Sequence, residues 1–230
     1  MAILTEPQKK IIALIADTPA VRDNFWLTGG TALAEFYLQH RYSEDMDFFT
    51  DKEENFNHYM RELQTRAQNE GIKLDRRQAG DMKTFFGAWA YVDGEKVKLD
   101  FAVDSPYRFK KPEFSKTYGI QFQDPVDLAC GKVAALFGRA APRDFVDVYF
   151  IHNELYNLDQ LIPWAKDTDS GMDNYWLSVA FDKAKDVTPD DPLEFPRMIK
   201  SLDLAGMKKL FEAYKHRLMN EPFEARPYKE

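Results

Sequence analysis

The chain has a single cysteine, Cys130, among 230 residues, so no disulfide closes within it and the fold must rest on a hydrophobic core. A lone thiol in an apolar, helix-like stretch is far more often a packing residue than a nucleophile, and it suits a reducing compartment. Histidine is also sparse. His40, His58, His152 and His216 are scattered without ligand spacing, and with no cysteine cluster beside them a zinc site is not expected. No window approaches the roughly 18 apolar residues of a membrane span, and "MAILTEPQKK" has no basic region ahead of an apolar run. The expectation is a cytosolic protein without membrane contact. Positive charge is not in excess either: 31 Lys and Arg face 38 Asp and Glu, for a net charge of −7. That balance argues against a protein that coats DNA, because phosphate binding draws on clustered cations. Local basic patches remain at 73–77, 107–116 and 208–217, each more commonly a solvated face than a binding site.

Repeats, low-complexity tracts and long linkers are absent too, and the chain reads as an α+β half followed by a helical half. Residues 6–17 carry apolar positions at helical spacing. "NFWLTGG" is a short strand ending in glycines, "TALAEFYLQH" a helix with Thr31 near its start, and "DMDFF" a second short strand. A helix over 55–70 ends at Gly71, and "IKLDRRQ" and "KTFFGAWAYV" read as strands. Asp93-Gly94 then predicts a tight hairpin, because this pair accepts the positive φ angles such a turn requires. Asp124 and Pro125 open a helix over 125–138 as N-cap and first helical residue. Four more helical stretches follow, broken by an acidic, proline-rich connector at 187–196. The division expected is a core domain over 1–123 and a helical domain over 124–230.

Side chains alternate along a strand, so Asp45 and Asp47 share one face while Met46 and Phe48 turn to a core. The two acids stand roughly 6.6 Å apart along the strand. In "KVKLDFAV" the same alternation puts Val97, Leu99, Phe101 and Val103 on one face and Lys96, Lys98 and Asp100 on the other. A third carboxylate can thus join the pair from a neighbouring strand. Three acids converging without cations would repel one another, whereas hard divalent ions such as Mg²⁺ favour this oxygen set. Two such ions can activate a hydroxyl and stabilise a leaving oxygen at phosphorus. A lone Asp-x-Asp more often solvates a strand edge, but Gly29 and Gly30 precede it. Their turn lets backbone approach a ligand, and the helix start after it presents free N–H groups to an anion.

The blocks "LTGGTAL", "HRYSEDMDFF", "VKLDFA" and "DLACGKVAALFGRAAPRDFVDVYFI", in this order, resemble the AbiEii/AbiGii toxin family of the polymerase-β-like nucleotidyltransferase superfamily. The resemblance implies a mixed sheet with flanking helices and a helical region after it. It places Gly29, Gly30 and Thr31 in the nucleotide-phosphate turn, Asp45 and Asp47 as paired metal ligands and Asp100 as the third carboxylate. Lys132 matches the family's lysine at the nucleotide, and Asp144 its Arg-Asp motif, with Asp147 on the same helical face. Arg41 and Ser43 match residues just before the acids. Fourteen residues lie between Gly30 and Asp45, at the long end of the superfamily's turn-to-acid spacing. The implied activity is Mg²⁺-dependent transfer of a nucleoside monophosphate from an NTP to a hydroxyl, with two ions. It also implies the toxin of a type IV toxin–antitoxin pair, acting on RNA at the tRNA 3′ end, with a cognate antitoxin as partner. Two rivals stand beside it: a nucleotidyltransferase with a small-molecule acceptor, and a non-catalytic nucleotide-binding regulator.

Arg139 and Arg143 flank a short turn near Lys132 and could hold phosphates; a salt bridge from Arg143 to Asp144 or Asp147 is the alternative. "DTDSGMDNYWLS" begins like a calcium loop but has Met172 where glycine is needed and Ser178 where the bidentate glutamate belongs. Trp164, Tyr175, Trp176 and Phe181 could stack on a base, but their helical spacing favours core packing.

Overall fold

The computed structural model describes residues 3–77, 83–190, 195–221 and 223–228. Gln78, at the end of the expected strand "IKLDRRQ", and residues 191–194 of the connector lie outside them. By contacts the chain divides into two compact units, Met1–Tyr37 with Ser43–Asp124, and Leu38–Tyr42 with Pro125–Glu230.

The first unit is a seven-stranded mixed sheet in the order β3-β4-β5-β2-β1-β7-β6. Its strands are β1 (Trp26–Thr28), β2 (Asp45–Thr50), β3 (Lys73–Arg76), β4 (Phe85–Val92), β5 (Glu95–Val103), β6 (Glu113–Ser115) and β7 (Ile120–Phe122). Alternation decides the two faces of β2 and β5. Met46, Phe48, Val97, Leu99 and Phe101 are buried, while Asp45, Asp47, Lys98 and Asp100 are not. The apolar face is covered by α1 (Glu6–Ala16), α2 (Pro19–Arg22) and α4 (Phe56–Asn69). Phe25 meets Phe56, Tyr59 and Phe101 at 5.4–5.9 Å between ring centres. Helix α1 opens with a reciprocal capping box between Thr5 and Gln8. At the β4–β5 hairpin Asp93 and Gly94 both take positive φ, 53° and 82°, as the sequence requires.

Some features of these strands and of the run after the glycines depart from the sequence reading. β6 and β7 are three-residue strands, too short to show an alternation. The helix expected after the glycines is α3 (Gly29–Ala32) running into a π-helical turn at Leu33–Leu38, a widening that propensity does not encode. Gln39 then takes a left-handed conformation, φ 50°, which ends the run.

The second unit contains α5 (Pro125–Arg139), α6 (Pro142–Glu154), α7 (Leu158–Thr168), α8 (Asn174–Asp182) and α9 (Leu204–Asn220). Phe145 and Phe181 meet Phe211 edge-on at 5.0 and 5.1 Å. The segment Leu38–Tyr42 belongs to this unit. The His40 carbonyl accepts from the Ile199 and Lys200 amides, and the Tyr42 N–H donates to the Arg197 carbonyl. Tyr175 and Trp176, expected in the core, are 55% and 58% exposed; their neighbours Leu177 and Phe181 take the buried face of α8 instead.

Candidate active site

Strand register brings the acids of the first unit together. Thr28 of β1 stands opposite Asp47 of β2, Asp47 opposite Asp100 of β5, and Asp100 opposite Gly87 of β4. The Arg77 N–H extends this rung by bonding to the Gly87 carbonyl. One rung away, Asp45 stands opposite Lys98, and Lys98 opposite Trp89. Strands are about 4.8 Å apart and same-face residues about 6.6 Å apart, so three carboxylates crowd one half-open patch.

The glycine turn closes onto this patch. Gly29 has φ +69°, and a Cβ there would lie 2.4 Å from Asp47 Oδ2. The left-handed backbone would strain any other residue at this position, and its Cβ would push the Asp47 carboxylate aside. Thr31 is buried, and its hydroxyl donates to the Asp45 carbonyl, fixing the helix start against β2.

The repulsion foreseen among the acids is met here by two protein cations. Lys98 Nζ lies 2.7 Å from Asp45 Oδ2 and 3.5 Å from Asp100 Oδ2, and Arg77 donates to Asp100 Oδ1. Arg77 crosses β4 where Gly87 leaves room; a Cβ there would sit 2.6 Å from its Nη2. Among the described residues no three carboxylates, histidines or cysteines are gathered closely enough to hold a metal ion. The donor set nevertheless fits a hard divalent ion, being three adjacent half-exposed carboxylates. The Asp45 and Asp100 oxygens are turned to Lys98 and Arg77 as they stand, so an ion taking these oxygens competes with Lys98.

In the second unit the charged cluster is dry. Asp147 and His40 are fully buried, Arg41 4% exposed and Lys132 7%. Asp147 accepts two bonds from Arg41, at 2.6 and 2.8 Å, and lies 2.7 Å from both His40 Nε2 and Lys132 Nζ. Burial pushes the Asp147 carboxyl up, but the Arg41 and Lys132 charges and the Arg41 and His40 hydrogen bonds hold it well below the usual range. His40 is lowered, first by burial and against the pull of Asp147. It is therefore neutral, with Nε2–H donating to Asp147. Asp144, three residues back, is also buried but takes a different partner, a two-pronged contact from Arg139 at 2.7 and 2.8 Å.

The family profile described as nucleotidyl transferase AbiEii toxin, type IV toxin–antitoxin system, matches residues 12–217. The chain belongs to the AbiEii nucleotidyltransferase toxin family. An uncharacterized protein of Aquifex aeolicus (strain VF5) is 30% identical over 168 residues, 68% of this chain and 71% of that protein. Solved structures share the fold, among them the following two. MenT4, a nucleotidyltransferase toxin of Mycobacterium tuberculosis H37Rv, superposes with TM-score 0.56 at 13% identity, over 93% of this chain and 82% of its own. An H. pylori protein presumed to be a nucleotidyltransferase superposes with TM-score 0.55 at 19% identity, over 94% and 96%.

As an AbiEii nucleotidyltransferase the chain is an enzyme with an NTP substrate. Of the residues singled out in its sequence, Gly29, Thr31, Asp45, Asp47 and Asp100 meet in the first unit. Arg41 and Lys132 meet at Asp147, whereas Asp144 is held by Arg139 and Arg143 is exposed. Ser43 offers its carbonyl to Gln8 Nε2 at 2.8 Å. The sequence reading missed Lys98, Arg77 and His40 as members of these clusters. Lys98 was within reach, since it shares a face with Asp100. The others depend on register and on the path of 38–42, which periodicity does not report. Among the described residues no helix is long and apolar enough to cross a membrane.

Proposed function

We propose that this enzyme transfers a nucleoside monophosphate from an NTP to a hydroxyl of RNA, at the 3′ end of tRNA. It would act in the cytoplasm as the toxin of a type IV toxin–antitoxin pair, restrained by a cognate antitoxin. The observation that carries the chemistry is the rung Asp47–Asp100, with Asp45 beside it and Gly29 closed onto Asp47.

In this reading the acceptor oxygen bonds to the α-phosphorus while the bond from that phosphorus to the bridging oxygen of pyrophosphate breaks. The hydroxyl proton leaves to solvent, and no protein nucleophile intervenes. Asp45 and Asp47 would hold two Mg²⁺ ions, with Asp100 a ligand on the acceptor side. The ions, when bound, would lower the acceptor hydroxyl's pKa and neutralise the leaving pyrophosphate. The Gly29–Gly30 backbone and Thr31 would flank the phosphates. Lys132 would neutralise triphosphate charge with Asp147 orienting its ammonium, Asp144 would act among the catalytic groups, and Arg41, Ser43 and Arg143 would bind the nucleotide.

Incubation with each labelled NTP and purified tRNA tests the reading. Wild-type protein should label the 3′ end, and Asp45→Asn should lose at least about a thousandfold in rate, near 4 kcal/mol at 1.36 per decade, while keeping its circular dichroism. Growth of expressing cells should fall only with wild type. Label entering small molecules while every RNA stays unlabelled would give the acceptor to the small-molecule rival, which the net charge of −7 favours.

A further inference from the structure

The carboxylate face of the sheet does not stop at β5. Beyond Asp45 and Lys98 the next positions on the same rung are Trp89 of β4 and Asp75 of β3. One rung further stand Lys96, Tyr91 and Lys73. The opposite side of these strands is the buried one, with Ala88, Ala90, Val97 and Leu99. Trp89 and Tyr91 are therefore not core residues; Tyr91 is 38% exposed.

Cations lie over these rings. Lys96 Nζ is 4.0 Å from the Trp89 ring centre, the Arg77 guanidinium 5.9 Å from it, and Lys73 Nζ 5.3 Å from that of Tyr91. Lys96 is exposed and has no carboxylate partner among the described residues. That separates it from Lys73 beside it, which Asp75 holds at 2.9 Å, and from several cations of the other basic patches. On α9, Lys215 is taken by Asp182 and Glu212, and Arg217 by Asp159 and Glu221. Arg108 is held by Asp51 and the Trp26 ring. In a chain of net charge −7, an exposed lysine over an indole, beside the acids, is a surface suited to a base and its phosphate. Stacking rings interleaved with cations are the chemistry that holds single-stranded nucleic acid.

The order of groups across the sheet gives the surface its place. From β1 outward come the glycine turn, the Asp45–Asp47 pair on β2, Asp100 on β5, then the aromatic and basic face of β4 and β3. If the NTP sits toward the turn, the acceptor must approach Asp100 from the other side. We propose that Trp89, Lys96 and Tyr91 bind the single-stranded end of the RNA acceptor and lead its terminal hydroxyl to Asp100. This rests on the RNA reading given above. A base on Trp89 occupies the position now held by the Lys96 ammonium, whose flexible stem carries the charge to the adjoining phosphate.

The test uses the full chain, a fluorescein-labelled short single-stranded RNA and a tRNA transcript. Trp89→Ala should weaken RNA binding and raise the KM for tRNA about tenfold, whereas Trp89→Phe, which keeps a stacking ring, should stay within about threefold of wild type. Lys96→Ala should lower the slope of log Kd against log salt by about 0.7, one single-strand phosphate contact. NTP affinity should be unchanged in all three. Because Lys96 is exposed, its variant reports even if Trp89→Ala is destabilised. If wild type labels tRNA but Trp89→Ala and Lys96→Ala match it in KM and salt slope, this surface is not the acceptor site and the RNA reading stands. If wild type neither binds nor labels RNA, both readings fall.

Discussion

Asp45 and Asp147 each have a lysine ammonium at 2.7 Å and belong to clusters in which an arginine also takes part, yet they sit in opposite surroundings. Asp45 and Lys98 keep 29% and 25% of their side-chain surface in water, while Asp147 keeps none and Lys132 8%. Water makes exchange of partners cheap in the first case, since a displaced ammonium is rehydrated at once. In the second, any separation strands a charge in a dry interior, where the penalty is several kcal/mol per ion. The open acids are thus suited to trading a lysine for an incoming cation. The buried aspartate is suited to holding Arg41, His40 and Lys132 in one arrangement, and with them the segment Leu38–Tyr42 against the helices.

The sharpest way to break this contrast is one conservative change in each cluster. Asp147→Asn leaves Arg41 and Lys132 buried without their counter-charge and should cost about 3–5 kcal/mol. At about 2–4 °C per kcal/mol for a chain of this size, the melting temperature should fall by about 10 °C. Asp47→Asn should leave melting nearly unchanged and remove transfer. Asp147 also fixes the acid limit of its own contribution. Its carboxyl is depressed in the folded state, so that stability is present above about pH 3.9 and lost only as pH falls below it. Equal melting of wild type and Asp147→Asn would refute the tie assigned to the buried cluster.

Lys132→Met comes next, because it separates a structural from a catalytic lysine. If its ammonium serves the triphosphate, kcat/KM should fall about a hundredfold, or 2.7 kcal/mol. Stability should drop less than in Asp147→Asn, since Arg41 still pairs the carboxylate. A loss of stability with unchanged kcat/KM would confine Lys132 to the support of Asp147.

How much of this contrast was legible beforehand follows from what alternation and local chemistry can encode. The face shared by Asp45 and Asp47, and that of Lys98 and Asp100, follows from a period of two. The Asp93-Gly94 turn and the start of α5 at Pro125 follow from backbone preferences. Register does not follow from either: that Asp47 meets Asp100, and that Gly87 opens a passage for Arg77, is set by strands distant in sequence. The burial of Arg41 and His40 is equally non-local, because it depends on 38–42 joining helices more than a hundred residues away. Periodicity therefore shows Arg77 only as a basic residue at a strand end, and Arg41 is marked only by its match to the family block.

A smaller effect should appear at Lys98, and it sharpens the claim that the open acids exchange partners. Lys98→Met keeps the aliphatic stem and removes the ammonium that competes for Asp45 and Asp100 oxygens. Mn²⁺ binding without nucleotide, followed by calorimetry, should tighten about tenfold, or 1.4 kcal/mol. Unchanged or weaker Mn²⁺ binding would show that Lys98 does not compete with a metal for these carboxylates.

The smallest effect is a pH slope in the buried cluster. His40 is lowered from an ordinary value near 6.5 because burial disfavours the imidazolium, more than the Asp147 carboxylate favours it; Arg41 and Lys132, facing the same carboxylate, lower it further. Between the folded value and 6.5 the unfolded chain binds the extra proton and the folded chain does not. The contribution of neutral His40 is therefore complete above about pH 6.5 and declines as pH falls, by at most about 1.4 kcal/mol per pH unit. His40→Gln preserves a donor toward Asp147 without a titrating ring. The stability lost between about pH 7.5 and pH 5.5 should shrink in this variant, as read by urea denaturation at each pH. His152, half-buried and also lowered by burial, contributes a slope of the same sign, so His152→Gln is the control. If His40→Gln keeps the full wild-type slope and His152→Gln removes it, the pH response belongs to the helical surface around His152 and not to the Asp147 cluster.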